Sequence, residues 1–206
     1  MITEQTTAEP IAVEPITTHP ATADRWDDLQ TVLVGGGDGR SCQCAWPVMT
    51  AGQWRSTTVD QRRKALHDEV DDEPAPGIIV YVGEDAAGWM RVGPRMVQRR
   101  VLNSRVMKSG TKEPLEADDV WAITCASIRT KYRRRGLEAV LVDAAVRYAR
   151  ERGARVIEAY PIDNTVARPS SNSMFVGALT TFLHAGFTVI SHPTPTRAVV
   201  SLEVGW

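Results

Sequence analysis

The sequence predicts an α/β domain in which helices are layered on a single sheet. Three observations carry that prediction. Residues 78–92 carry a β-hairpin pattern, and the apolar run "VWAITCASI" leads into a long amphipathic helix pattern. A further apolar run, "ARVIEAYPI", follows that helix. Strand–helix–strand alternation of this kind packs its helices against one sheet. The chain has 206 residues, enough for one substantial core, and its 43% hydrophobic and 24% charged residues are ordinary for a folded domain.

Taken in order, "MITEQTTAEPIAVEPITTHP" is rich in Thr, Glu and Pro and reads as a disordered tail over residues 1–20. It has neither the basic start nor the apolar stretch of a signal peptide. The folded domain is then residues 21–206. In "ATADRWDDLQTVLV" the apolar residues Trp26, Leu29, Val32 and Leu33 have helical spacing, and the glycines of "GGGDGR" end the helix. That glycine run lacks the strand-then-helix setting of a dinucleotide fingerprint and reads as a loop. A second helix follows in "STTVDQRRKALHDEV", capped at Thr57 or Thr58, with Ala65, Leu66 and Val70 inward.

The hairpin pairs Ile78–Val82 with Gly88–Val92 around a Gly-Glu-Asp turn. Residues 102–119, with Gly110, Pro114 and many polar side chains, read as an exposed, mobile connection. "VWAITCASI" is strand-length and apolar throughout, the pattern of a strand covered on both faces. Helix 137–152 turns Leu137, Val140, Leu141, Ala144 and Tyr148 inward, and strand "ARVIEAYPI" stops at Pro161. A loop with Pro169, Ser170 and Ser171 precedes a helix in "SMFVGALTTFLHAG", and strands "FTVI" and "RAVVSLEV" close the chain.

A net charge of −1 gives no electrostatic footprint for nucleic acid. No run approaches the ~18 apolar residues of a membrane helix. Three cysteines argue against a disulfide framework, and Cys42-x-Cys44 has no second pair or His cluster to complete a metal site. These features predict a reduced, cytoplasmic protein with no metal, no nucleic-acid partner and no membrane.

One stretch concentrates chemistry. In "CASIRTKYRRRGLEAVL" a strand meets Arg133, Arg134, Arg135 and Gly136 where a helix begins. Unpaired N–H groups and the positive end of the helix dipole coincide there, and such places hold anions. Arginines add charge-assisted hydrogen bonds to phosphate, and a glycine lets phosphate approach the backbone. A solvated basic cluster on a surface turn explains the same residues.

The order of elements around these residues resembles the GNAT superfamily of acetyl-coenzyme A-dependent N-acyltransferases. The family's R/Q-x-x-G-x-G/A signature is matched at Arg133 and Gly136. The likeness runs forward through the following helix to "VIEAYPID" and back to "GWMRVGPR", more loosely to "CQCAW" and "ATADRWDDL", about residues 21–204 in all. It implies a mixed, splayed central sheet flanked by helices. It also implies that backbone N–H groups of Arg133, Arg134, Arg135, Gly136, Leu137 and Glu138 cradle the pyrophosphate of acetyl-CoA. The strand residues Cys125, Ala126, Ser127 and Ile128 would pair with its pantetheine arm, the second wall would be Val156–Tyr160, and an N–H near Ile128 would polarise the thioester. The implied reaction is direct attack by a primary amine on acetyl-CoA in a ternary complex, the acceptor being a small molecule or a peptide.

The chain departs from the pattern twice. Glu138 stands where the family has Gly or Ala, placing a carboxylate beside the phosphate site. Phe182 stands where many relatives carry a tyrosine that protonates the leaving thiolate; by local chemistry it is core. Glu158, a carboxylate in an apolar strand, is the candidate general base, a buried structural hydrogen-bonder being the other reading. Cys125 reads as a core residue rather than a nucleophile. Cys42, Cys44 and Trp46 read as a packed loop or as part of the acceptor pocket, where Trp54, Trp89 and Trp121 would add apolar wall. Glu138 and Phe182 keep open an alternative, a noncatalytic acyl-CoA sensor or partner subunit. Oligomeric state stays open too, a sheet-edge homodimer being one arrangement.

Overall fold

A computed structural model describes residues 14–166 and 171–205. Seven strands form one sheet: β1 Ile16–Pro20, β2 Gly77–Val82, β3 Asp85–Pro94, β4 Val120–Ile128, β5 Val156–Ala159, β6 Thr188–Thr194 and β7 Arg197–Glu203, in spatial order β1-β2-β3-β4-β5-β7-β6. Neighbours are antiparallel except β4 and β5, which run parallel. A parallel pair needs a crossover. Here it is the long helix between those two strands. The helices are α1 Trp26–Val34, α2 Gly39–Cys42, α3 Ala51–Ser56, α4 Val59–Val70, α5 Arg99–Leu102, α6 Arg105–Gly110, α7 Leu137–Glu151 and α8 Leu179–His184.

Alternation along β2 assigns the two faces. Ile78, Val80 and Val82 pack with Leu137, Leu141 and Tyr148 of α7, whereas Ile79 and Tyr81 pack with Leu29 and Leu33 of α1 and Leu66 and Val70 of α4. Each such side chain, fully buried, contributes about 1.5–3 kcal/mol. Helix α4 begins as its sequence requires: Thr58 Oγ1 accepts from the Gln61 N–H at 3.2 Å while Gln61 Oε1 accepts from the Thr58 N–H at 2.8 Å.

Two features open the sheet at its centre. The β3–β4 register jumps between Arg91↔Cys125 and Val92↔Ile123, leaving Thr124 as an extra residue in β4. On its other side β4 pairs with β5 only from Val120 to Ile123. Pro161, which lacks an N–H, follows Tyr160 and stops β5 from continuing. From Thr124 to Ile128, then, that edge of β4 meets no strand among the described residues, and Cys125–Ile128 are half-buried where Val120–Thr124 are buried. The mixed, splayed sheet expected by resemblance is present.

Four expectations are corrected. The tail does not extend to residue 20: Ile16–Pro20 pairs with Ile78–Val82 as an edge strand too short and Thr/Pro-rich to stand out. Residues 1–13 lie outside the described residues. The connection 102–119 is not simply exposed, because α6 buries Met107 against Ala122, Tyr160 and Val199. The single helix expected over "SMFVGALTTFLHAG" is two pieces. A 3₁₀ turn at Ser171–Val176 gives way at Gly177, whose φ of +82° no regular helix accommodates, before α8 begins. Pro169 and Ser170 lie outside the described residues. "VWAITCASI" is buried only in its first half, as the splay dictates.

Candidate functional site

The basic turn between β4 and α7 is anchored from below. Tyr132 is buried, and its hydroxyl and the Lys131 ammonium both bond to Asp85. Above it the chain takes left-handed conformations at Arg134 (φ +63°) and Gly136 (φ +75°). These turn the backbone N–H groups from Arg134 to Glu138 outward, and none of them meets an acceptor among the described residues. Arg133 adds a positive charge but is partly committed, its Nε donating to the Ile128 carbonyl at 3.2 Å. This arrangement fits a polyanion: consecutive free N–H groups, the positive end of a fifteen-residue helix, and three exposed arginines.

Glu138 does not face that anion site with a free carboxylate. Its Oε1 accepts from the Ala178 N–H at 3.1 Å and its Oε2 from Thr181 Oγ1 at 3.3 Å, tying the first turn of α7 to the start of α8. Burial raises its pKa, against the effect of those two hydrogen bonds. Gly177 is part of the same joint, since a Cβ there would lie 2.9 Å from Glu138 Oε1.

Two cavities flank the unpaired half of β4. The first, about 700 Å³, runs from Arg133, Arg134 and Glu138 along Cys125–Ile128 to the Gly36–Gly39 loop and the thiols of Cys42 and Cys44. The second, about 600 Å³, lies on the other side of Thr124, bounded by Ile123, Tyr160, α5 and Arg197. Trp46, Pro47 and Phe175 line both, so the cavities adjoin where Thr124 gives way to Cys125. Both volumes suit a small molecule or one arm of a cofactor-sized one.

A thiol pair lies at that junction. Gln43 and Cys44 are both left-handed (φ +50°), which brings the buried Cys44 thiol beside Cys125 and 3.2 Å from Trp89 Nε1. Burial opposes ionisation of Cys44, but the Cys125 thiol, the Arg91 guanidinium and the Trp89 N–H outweigh it and hold its pKa below the ordinary thiol range. Its neighbour goes the other way: Cys125, bonded to Cys44 and buried, is pushed well up. Burial also raises Cys42. Among the described residues no group of three or more His, Cys, Asp or Glu could hold a metal ion, and no helix is long and apolar enough to cross a membrane.

Most residues singled out from the sequence converge here. Cys125, Ala126, Ser127, Ile128, Arg133, Arg134 and Glu138 line the larger cavity, Arg135 and Gly136 complete the exposed turn, and Leu137 points into the core beneath it. Cys42, Cys44, Trp46 and Trp54 line it as well, whereas Trp89 and Trp121 are core. Phe182 is fully buried against Phe187.

Glu158 requires a correction. It lines neither cavity and is fully buried, held by Arg95 Nη1 at 3.0 Å, the Tyr160 hydroxyl at 2.8 Å and Thr111 Oγ1. Its carboxylate reaches the smaller cavity only through Tyr160, so it is a structural anchor rather than a group placed to take a proton from substrate. Sequence reasoning missed Thr124, Phe175, Arg99, Arg100 and Arg197. These come from four separate segments and carry no shared local signal.

The acetyltransferase (GNAT) family model matches residues 44–169 of the chain. No curated protein matches. Among solved structures, the GNAT domain of S. lividans PAT aligns with TM-score 0.53 and 16% identity over 95% of this chain and 99% of that one. The PaiA N-acetyltransferase of Thermoplasma acidophilum, solved with coenzyme A, aligns with TM-score 0.52 and 10% identity over 92% and 99%. The ribosomal-protein-S18-alanine N-acetyltransferase of Escherichia coli aligns with TM-score 0.51 and 10% identity over 93% and 96%. Identities this low speak to the fold alone.

Proposed function

The chain belongs to the GNAT acetyltransferase family and is an acyltransferase, and from that premise we propose that it moves an acetyl group from acetyl-CoA to the primary amine of an acceptor, by direct attack with both substrates bound. The supporting observation is the meeting of two cavities at Thr124 and Cys125, one reaching Arg134 and Glu138 at the ends of the turn with free N–H groups and the other lined by no residue of that turn.

In this reading the N–H groups from Arg134 to Glu138 hold the pyrophosphate, with Arg133 and Arg134 adding charge. The unpaired edge of Cys125–Ile128 offers backbone hydrogen bonds to the pantetheine arm, as an added strand would use them. Acetyl-CoA supplies the acyl group as an activated thioester. The acceptor nitrogen forms the new C–N bond, the C–S bond breaks, and the proton lost by the nitrogen passes to water. Among the described residues no carboxylate or histidine lines the smaller cavity, which is why no side chain is assigned as base. A cytoplasmic setting belongs to the same reading and accords with three free cysteines. The alternative of a noncatalytic acyl-CoA sensor or partner subunit loses one of its two supports, because Glu138 is bonded to Ala178 and Thr181 rather than standing free at the anion site; the other, Phe182 in place of a proton-donating tyrosine, stands.

Calorimetric titration with acetyl-CoA tests the cofactor half. Micromolar binding, about −8 kcal/mol, is expected, and Arg134→Ala should weaken it about tenfold. Release of free CoA thiol dependent on an added amine tests the transfer half. Absence of acetyl-CoA binding in the folded wild type would sink the reading.

A further inference from the structure

Within the proposed acyltransferase reading, the smaller cavity says what kind of amine it accepts. Its lining includes Arg99, Arg100 and Arg197 and, among the described residues, no Asp or Glu. None of these three arginines has a carboxylate partner among the described residues, whereas Arg91, Arg95, Arg152 and Arg155 elsewhere all do.

The two inner cations are held in place rather than left to solvent. Arg100 lies over Trp46, its Cζ 3.7 Å from the ring centroid, and its Nε donates to the Trp46 carbonyl at 2.9 Å. Arg197 is half-buried and its Nη2 donates to the Tyr160 carbonyl at 2.6 Å. Each also has one buried guanidinium nitrogen without an acceptor, Arg100 Nη2 and Arg197 Nε. Burial lowers the pKa of both, and for Arg100 the nearby Arg55 adds to the effect. Positive charge thus lines this cavity, and at Arg197 it is partly stripped of water, with no carboxylate among the described residues paired to it. Such an arrangement costs stability unless a ligand supplies the counter-charge.

The rest of the lining limits the ligand's body. Trp46, Pro47, Phe175, Tyr160, Ile123 and Val101 make a mostly apolar wall around about 600 Å³. A guanidinium matches a carboxylate with paired, charge-assisted hydrogen bonds. We propose that the acceptor is a small amine that also bears a carboxylate, an amino acid or amino-acid-like metabolite with an apolar body, whose carboxylate is held by Arg197 while its amine faces the junction at Thr124. Arg197 is then the specificity-determining residue. A site built around an anion discriminates strongly against the analogue lacking it, because the cations are then left uncompensated.

The test uses matched pairs that differ only in the carboxylate. L-phenylalanine is compared with phenethylamine, L-tryptophan with tryptamine, L-leucine with isoamylamine and β-alanine with ethylamine, reading CoA thiol release from acetyl-CoA. In parallel, ligand-observed NMR compares phenylpropionate with phenylpropionamide, probes that need no turnover. The amino acid should exceed its decarboxylated partner at least tenfold in kcat/KM in at least one pair. Phenylpropionate should bind at least tenfold tighter than its amide. Arg197→Gln should erase that tenfold preference while acetyl-CoA affinity by calorimetry is unchanged. The proposal is overturned if the amide binds as well as the acid, if neither binds, or if the decarboxylated amines are the better substrates. Failure of acetyl-CoA to bind, with the acid still preferred over the amide, would instead remove the acyltransferase reading and leave a carboxylate site.

Discussion

Arg95 Nη1 and Glu158 Oε2 lie 3.0 Å apart with both side chains fully excluded from solvent. Arg95 also donates to the Pro114 carbonyl and to Thr111 Oγ1, the latter at 3.0 Å. The pair therefore fastens the 102–119 connection to β5 in the middle of the sheet. It is a joint between elements, and its consequences are for stability first.

Glu158→Gln leaves the Arg95 charge buried without its counter-ion. The variant should be about 3 kcal/mol less stable, measured by urea denaturation. The pH profile of kcat/KM in the folded variant should keep the wild-type shape. A profile that loses its acidic limb would restore Glu158 as the base.

Gly136 and Gly177 are both left-handed, at φ +75° and +82°, but in different surroundings. A Cβ on Gly136 would meet nothing within 4 Å, so Gly136→Ala should cost only the backbone penalty, about 1 kcal/mol. A Cβ on Gly177 would lie 2.6 Å from Phe182 and 2.9 Å from Glu138. Gly177→Ala should therefore be the more damaging of the two in thermal unfolding, and the reverse order would contradict the structure.

Glu138 has its pKa raised by burial, so the folded protein holds that proton more tightly than the unfolded chain does. Its contribution favours the fold below the ordinary carboxylate range and is lost as pH rises through the raised value. Glu138→Gln keeps an acceptor for Ala178 and a donor for Thr181 without the charge. Relative to wild type, the variant should gain stability as pH rises from 4 to 7. Thermal melts across that range check the sign.

Cys44 and Cys125 should titrate apart. In a pH titration of thiolate absorbance, one thiol should ionise below the ordinary range and another well above it, because Arg91 and Trp89 stabilise charge on Cys44 while Cys125 is left as donor to it. Cys44→Ser should abolish the low transition, and Arg91→Gln should move it upward. A low transition that survives in Cys44→Ser would assign it elsewhere.

The sequence by itself determined what depends on neighbours along the chain. The hairpin at 78–92, the caps at Thr58, the stripe of α7 and the turn from Arg133 to Gly136 are written in local spacing, and each is where its residues put it. The basic turn of the candidate site was legible for the same reason, since one strand, one turn and one helix start make it. Tertiary structure alone decided the rest. Whether Glu158 is a base or an anchor depends on Arg95 and Tyr160, and whether Glu138 spoils the phosphate site depends on Ala178 and Thr181. The smaller cavity draws Trp46, Arg100, Tyr160 and Arg197 from four separate segments. Long-range packing brings them together, and buried charge has its meaning only from the partners it finds or lacks there.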